Sequence, residues 1–345
     1  NYYNDVQNVD NYDTENKDFI SDILTENNLK EVLNIFNKLG IIPYIKNGYY
    51  YPNSREATSI RNTLLKECLN KNVKIVNNYN VNKIEVINDK FKIDNMIFDK
   101  LVISGGSNAY YKEETNIYDI AKSLGHNVIE PKPCLTSLIT KEKYDWQGIR
   151  VNSKVKLLID NKIVKEEKGE LQLTNYGLSG ICIFNLSYDA IKNIDKDVSV
   201  EIDFLDEIND LSTLLEERNK IMSERNILEF LEGLLNEKLI KVILNRLNIS
   251  EKEKYNNLNN DTKNRLIDCI KNFKVKVIDY KGYEFAQSAL GGVDTKEIKN
   301  TMESKKVKNL YFTGEILDVC GKCGGYNLTF AWLSGYLCGR TISDD

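Results

Sequence analysis

The stretch that most constrains this chain runs from Val307 to Gly339, where a short apolar run, a cluster of glycines and a long apolar segment follow one another. Leu310 to Thr313 reads as a buried strand, Gly314-Glu315 breaks it, and Gly321, Gly324 and Gly325 let a backbone pass close to something. From about Tyr326 to Gly339 the residues are apolar nearly all round, which predicts a buried helix. Amides at the start of such a helix carry partial positive charge and attract electron-rich groups, so this ending suits a nucleotide or a flavin. The plainer meaning of the same glycines is capping and close packing.

What can be built around that ending is limited by size and charge. With 345 residues there is room for about two domains. Hydrophobic residues at 41% and charged residues at 28% are ordinary for a globular protein, which excludes disorder of the whole chain. A formal net charge of -4 argues against a general nucleic-acid binder, because phosphates need clustered cations, and Lys305-Lys306-Val307-Lys308 lies among acidic residues as a solvated face. No apolar stretch is long enough for a bilayer and no leader pattern opens the chain, so no membrane span and a cytoplasmic location are expected. Seven scattered cysteines do not form a secreted disulfide pattern. Cys320-Gly-Lys-Cys323 has the spacing of a redox pair or half a zinc site. No second cysteine pair lies at zinc-finger spacing and the single histidine, His126, is remote in sequence, so no metal is expected. Turn residues beside a ligand is the preferred reading of these cysteines, and a dithiol reductase the weaker alternative.

Element by element, helical periodicity covers Asp18 to Asn27 and Leu29 to Leu39, and Asn47-Gly48 before Tyr49-Tyr50-Tyr51 marks a hairpin. Ser54 is placed to cap a helix reaching about Asn70. Strands follow at Val73 to Val76, within the alternating Val81 to Ile87, near Phe91 to Ile93 and Met96 to Phe98, and at Leu101 to Ser104. Short strands fill the next region: Leu135 to Ile139, Val155 to Ile159, Ile163 to Glu166, Glu170 to Thr174 and Val198 to Phe204. A helix is expected within Leu178 to Ile191. Charge-rich helices then run to about Ile270, and Val275 to Asp279 and Glu284 to Gln287 lead back as strands. This order is α/β, with residues 1–133 as a first part, a β-rich insert at 134–205, a helical part at 206–273 and a return at 274–345.

Here the residues carry a resemblance. Gly314-Glu-Ile-Leu-Asp-Val-x-Gly-x-x-Gly-Gly-Tyr-Asn-Leu328 is similar to the aminoacetone-oxidase-like, BaiN-like family of FAD-dependent oxidoreductases, as are Ser104-Gly-Gly-Ser107, Ala121-Lys-Ser-Leu-Gly-His126, Leu173-Thr-x-x-Gly-Leu-Ser-Gly180, Gly291-Gly-Val293 and Thr301-Met-Glu-Ser-Lys305. The resemblance implies a discontinuous Rossmann-like FAD-binding domain with an inserted β-barrel-like and helical domain. It also implies an FAD cofactor, NAD(P)H as candidate electron donor and a small-molecule substrate. Family members open on Gly-x-Gly-x-x-Gly between a strand and a helix, which this sequence lacks, so the domain is expected to be incomplete at its N-terminus.

By that resemblance Glu315, after Gly314, meets the ribityl chain, and Gly324, Gly325, Tyr326, Asn327 and Leu328 set amides beside the isoalloxazine. A carboxylate suits hydroxyl donors. Gly105 and Gly106 match a second glycine pair against the cofactor, and Val81 passes its backbone beside the adenine. Each has a plainer meaning: a turn glutamate, packing glycines, a strand-to-loop turn, a core strand residue. His126 follows Gly125 and reads as structural, and Tyr49 to Tyr51 as a half-buried hairpin. No acid, base or nucleophile stands out, as expected where a cofactor carries the electrons. The other class of function compatible with the sequence is a non-catalytic remnant that keeps the fold as a binding module.

Overall fold

Along Arg150 to Leu173 side chains alternate between core and solvent, and the chain forms its longest hairpin there, Arg150–Ile159 antiparallel to Lys162–Leu173. Asp160 and Asn161 turn it, both in the left-handed region at φ 50° and 62°, the two-residue geometry that matches strand twist. In this computed structural model, which describes residues 1–111 and 115–344, the hairpin belongs to one of two units, Leu135–Phe285. The other unit is Asn1–Cys134 with Ala286–Asp345.

Six antiparallel strands close the barrel of the first of these, in the order Leu138–Thr140, Gly177–Ser179, Lys162–Leu173, Arg150–Ile159, Val198–Asp203 and Phe273–Tyr280. Lys162–Leu173 is one strand where the sequence suggested two. Its charged middle stays in the ladder because Lys154 and Glu166 pair across the hairpin at 2.6 Å, and Gly169 faces Cys182 of the helix Ile181–Lys192. Gly177 is required where it stands: a Cβ there would lie 2.3 Å from the Leu138 carbonyl oxygen. The four helices Leu211–Met222, Ile227–Leu231, Glu237–Leu247 and Asn260–Lys271 are each capped by an Asp or Asn side chain. They bury Leu215, Phe230, Ile243 and Leu266 in the same cluster as Val155, Leu157, Val200 and Val275. Full burial of each such side chain contributes about 1.5–3 kcal/mol. The sequence placed the return to the first domain at 274. Phe273–Tyr280 is instead a barrel strand, bonded to Val198–Asp203 on one side and Leu138–Thr140 on the other.

The other unit is a mixed α/β layer. Its one parallel ladder among the described strands joins Leu310–Phe312 to Leu101–Ile103, and Ser288–Val293 runs antiparallel to Val128–Cys134. The unit also contains a meander of Glu85–Ile87, Lys90–Ile93 and Met96–Phe98, and a separate hairpin of Pro43–Lys46 and Tyr49–Pro52, which Tyr3–Asn4 extends. Helices Glu26–Lys38 and Tyr326–Asp344 meet through Phe36, whose ring lies 4.8 Å from Tyr2 and 5.3 Å from Trp332.

Three local expectations fail in this unit. Val73 to Val76 forms no strand: Val73, Ile75 and Val76 are exposed, and no described strand pairs with them, so β-propensity has nothing to act on. Ser54 accepts from the Glu56 N–H at 3.3 Å, and the N-cap of Ala57–Asn70 is Glu56. The helix Tyr326–Asp344 buries Phe330, Leu333 and Leu337 but leaves Leu328, Gly335 and Gly339 exposed, because an apolar composition cannot say which side will find a partner. Among the described residues no helix is long and apolar enough to cross a membrane.

Candidate functional site

Two loops leave the same end of the parallel ladder. Leu310, Tyr311 and Phe312 stand in register with Leu101, Val102 and Ile103, and the Thr313 N–H donates to the Ile103 carbonyl at 3.1 Å. The residues after each strand are therefore neighbours: Gly105-Gly106-Ser107 on one side, Gly314-Glu315 on the other. The space beyond the carboxyl ends of parallel strands is where α/β folds bind ligands. Gly314 starts the short turn Gly314–Ile316 at φ 73°, and its N–H donates to the Ser334 hydroxyl at 2.9 Å.

That turn carries Glu315 into a cluster of donors. Ser107 Oγ donates to its carboxylate at 3.0 Å, and the Ser288 hydroxyl and the Ala289 N–H bond it as well. Ser107 and Glu315 are 208 positions apart, yet both belong to this one cradle. Glu315 as a residue is half-buried while its carboxyl head is enclosed, so burial pushes its pKa above the ordinary carboxylate range, against the opposing pull of the three donors. Ser107 accepts in turn from the Ala109 N–H at 3.1 Å, which ties the cradle to its loop. Ser107 was legible as part of Ser104-Gly-Gly-Ser107. Ser288 and Ala289 were not, because the strand expected at Glu284 to Gln287 falls on the short helical turn Tyr283–Phe285, and the strand that holds them, Ser288–Val293, begins only after it.

The sequence-predicted residues divide unevenly around this cradle. Gly106, at φ 76°, has nothing within 4 Å of where a side chain would begin, whereas Gly105 faces Ile117 at 2.6 Å. Gly324 and Gly325 do permit close approach, but what approaches is the protein's own chain: the Tyr49 ring and the Tyr3 backbone lie 2.9 and 3.3 Å from where a side chain would begin. The Asn327 side chain is spent on Gly321, accepting from its N–H at 2.7 Å and donating to its carbonyl at 2.8 Å. Tyr326 is buried edge-on to Tyr12, and Leu328 is exposed. Val81 lies outside any strand, its carbonyl accepting from Asn116 Nδ2 at 2.9 Å. Any part Asn327 and Tyr326 play toward a ligand thus falls to their backbones.

The cysteine pair separates. Cys320 is buried against Cys134 and the Ser288 hydroxyl, 3.6 Å away, while the Cys323 thiol lies 3.6 Å from Gln287 Oε1. Contact with Cys134 and burial hold the Cys320 thiol far above its usual pKa, so Cys320 itself is not a thiolate nucleophile. Among the described residues no group of three His, Cys, Asp or Glu side chains is placed to hold a metal ion. His126 is buried between Glu297 Oε2 at 3.1 Å from Nδ1 and Ser304 Oγ at 2.9 Å from Nε2, with its ring 4.7 Å from that of Phe312. It is a structural histidine.

In its donor chemistry the cradle fits a polyhydroxylated cofactor chain. An enclosed carboxylate accepts from hydroxyls, and Gly106 leaves open backbone near it. The sequence pattern described as HI0933-like protein Rossmann domain matches residues 1–341. A relative from Clostridium scindens named 3-dehydro-bile acid delta(4,6)-reductase is 32% identical over 359 aligned positions, covering 100% of this chain and 87% of its own length. Ribosomal RNA dihydrouridine synthases of Haemophilus influenzae and Escherichia coli are 31% and 30% identical over 66% and 65% of this chain, in each case 55% of their own length. A looser likeness, at a TM-score of 0.42 and 12% identity, is to the open conformation of a flavocytochrome c3 fumarate reductase. It spans 94% of this chain but 64% of that one.

Proposed function

The chain belongs to the HI0933-like Rossmann family of flavin-dependent oxidoreductases, and from that premise we propose that it is an FAD-dependent reductase. The observation that carries the proposal is the Glu315 cradle at the carboxyl ends of the two parallel strands. Glu315 would accept from ribityl hydroxyls, and the glycine turns Gly105-Gly106 and Gly314 would give the cofactor room beside it. The backbones of Gly324 to Leu328 would face the isoalloxazine, and that of Val81 the adenine. Bound there, FAD would supply two-electron transfer from NAD(P)H to an acceptor.

The names of the relatives suggest the acceptor's chemistry. A 3-dehydro, Δ4,6 substrate has double bonds conjugated with a ketone, and dihydrouridine is uridine with its ring double bond saturated. Both describe reduction of a carbon–carbon double bond conjugated with a carbonyl, and we assign that acceptor class to this chain. Net charge does not by itself exclude RNA, since two relatives are named for it. We favour a small molecule because a net charge of -4 leaves little to neutralise phosphates. Cysteines without disulfides suit a reducing, cytoplasmic compartment.

The test is a visible absorption spectrum of the purified protein, then anaerobic mixing with NADH or NADPH. Flavin absorbance that bleaches with either donor, and returns on adding a conjugated enone, supports the reading. A colourless protein that also fails to take up added FAD refutes it. One observation favours a second reading, a binding module without cofactor: Tyr49 and Tyr3 cover Gly324 and Gly325. The same uptake experiment decides between the two.

A further inference from the structure

A groove of about 660 Å³ opens within the unit Asn1–Cys134 with Ala286–Asp345, a volume typical of small-molecule sites. Its walls are aromatic and apolar. The Trp332 indole N–H donates to the Tyr2 carbonyl at 2.9 Å, which fixes the ring, and beside it stand Tyr51 and Leu328, the latter 43% exposed. The rim is cationic: Lys46, Arg55 and Arg61 line the groove and no carboxylate does. Among the described residues none of the three is in an ion pair.

Two of these cations are oriented by neutral groups. The Arg55 guanidinium lies 4.3 Å from the centroid of the Tyr44 ring, and Arg61 donates to Asn62 Oδ1 at 3.2 Å. Arg55 also adopts a left-handed backbone, φ 58°, with its N–H bonded to the Pro52 carbonyl at 2.8 Å. Large side chains seldom take that conformation, and where they do it often marks a working site. Three cations without a carboxylate partner among the described residues, set over apolar walls in a chain of net charge -4, make a local field that draws in an anion.

We propose that this groove binds an amphipathic organic anion. A flat, ring-bearing body lies on Trp332, Tyr51 and Leu328, and one acidic group, a carboxylate, sulfonate or phosphate, is held by Arg55, Arg61 and Lys46. The site is separate from the Glu315 cradle and shares only Leu328 with the residues proposed for FAD, so it stands whether or not the chain binds flavin.

The probe pair is anilinonaphthalene sulfonate and the uncharged N-phenyl-naphthylamine, titrated into the full chain in a Trp146→Phe background, so that energy transfer reports from Trp332. The sulfonate is expected to bind about tenfold tighter than the neutral probe, the worth of one charge-assisted contact. Arg55→Gln with Arg61→Gln abolishes that preference and leaves the neutral probe unchanged, and saturating FAD leaves both affinities unchanged. Both arginines are exposed, so matching circular dichroism is expected; should the double variant misfold, Lys46→Gln reports the same loss in part. Equal affinity for the two probes, absence of transfer from Trp332, or a sulfonate affinity unmoved in the variants would each overturn the site. Competitive displacement by FAD would overturn its separateness from the cofactor.

Discussion

Ser288→Ala is the sharpest probe of the cradle. Ser288 is fully buried, stands opposite Cys134 in its ladder, and gives its hydroxyl to Glu315. With Glu315 ionised, the lost bond is charge-assisted and worth about 1.5–3 kcal/mol; the low end applies, since Ser107 and Ala289 remain and Glu315 is half-buried. With Glu315 protonated the same bond is neutral and worth about 0.5–1.5 kcal/mol. The sign follows from burial, which raises the folded pKa above its ordinary 4.5, so the native state holds its proton longer than the unfolded chain does. Stability from this group is therefore complete below that value and declines as pH rises through the folded one. Removing a donor raises the folded pKa further, so the variant's deficit must grow with pH, from about 0.5 kcal/mol with Glu315 protonated to about 1.5 kcal/mol with it ionised. Urea unfolding followed by Trp332 fluorescence in a Trp146→Phe background reads the unit that contains the cradle. A deficit that does not change with pH, or one that survives unchanged when Glu315→Gln is added, refutes the bond.

Two further outcomes are expected. Burial, outweighing the neighbouring Glu297 carboxylate, holds His126 below its ordinary pKa of 6.5, so its stabilising contribution is present above pH 6.5 and lost as pH falls through the folded value. His126→Gln should flatten this acid-side slope in denaturation midpoints, and an unchanged slope would mean that His126 does not cause it. Cys323→Ser should leave NAD(P)H-driven turnover intact, and Cys320→Ser should cost about 1–2 kcal/mol of stability without abolishing turnover. Loss of turnover in Cys323→Ser would restore the dithiol reading.

Much of the local structure was legible because its causes are local. Asn47-Gly48 forms the expected hairpin turn with both residues at positive φ, and the strand, glycine and helix succession from Leu310 to Asp344 appears in that order. The failures lie where a partner decides. Val73 to Val76 has the composition of a strand and nothing to pair with, and Lys162–Leu173 looked broken until the opposing strand supplied ion pairs for its charged middle. Gly324 and Gly325, which the sequence reads as a close approach, have the Tyr49 ring and the Tyr3 backbone as neighbours, and no window of sequence names those neighbours.

By itself the sequence determined most element types and the family motifs that single out Glu315, since propensity, capping and turn chemistry act over a few residues. Only the tertiary structure decided what surrounds that carboxylate. Its donors come from Ser107, Ser288 and Ala289, on segments whose nearness depends on strand register across 208 and about 26 positions of chain. The groove beside Trp332 has the same origin: Lys46, Arg55 and Arg61 are unremarkable surface cations in sequence, and become one positive rim when a hairpin, a turn and a helix fold around an aromatic wall. Burial and charge at a point in space are sums over the whole fold, and no window of sequence contains them.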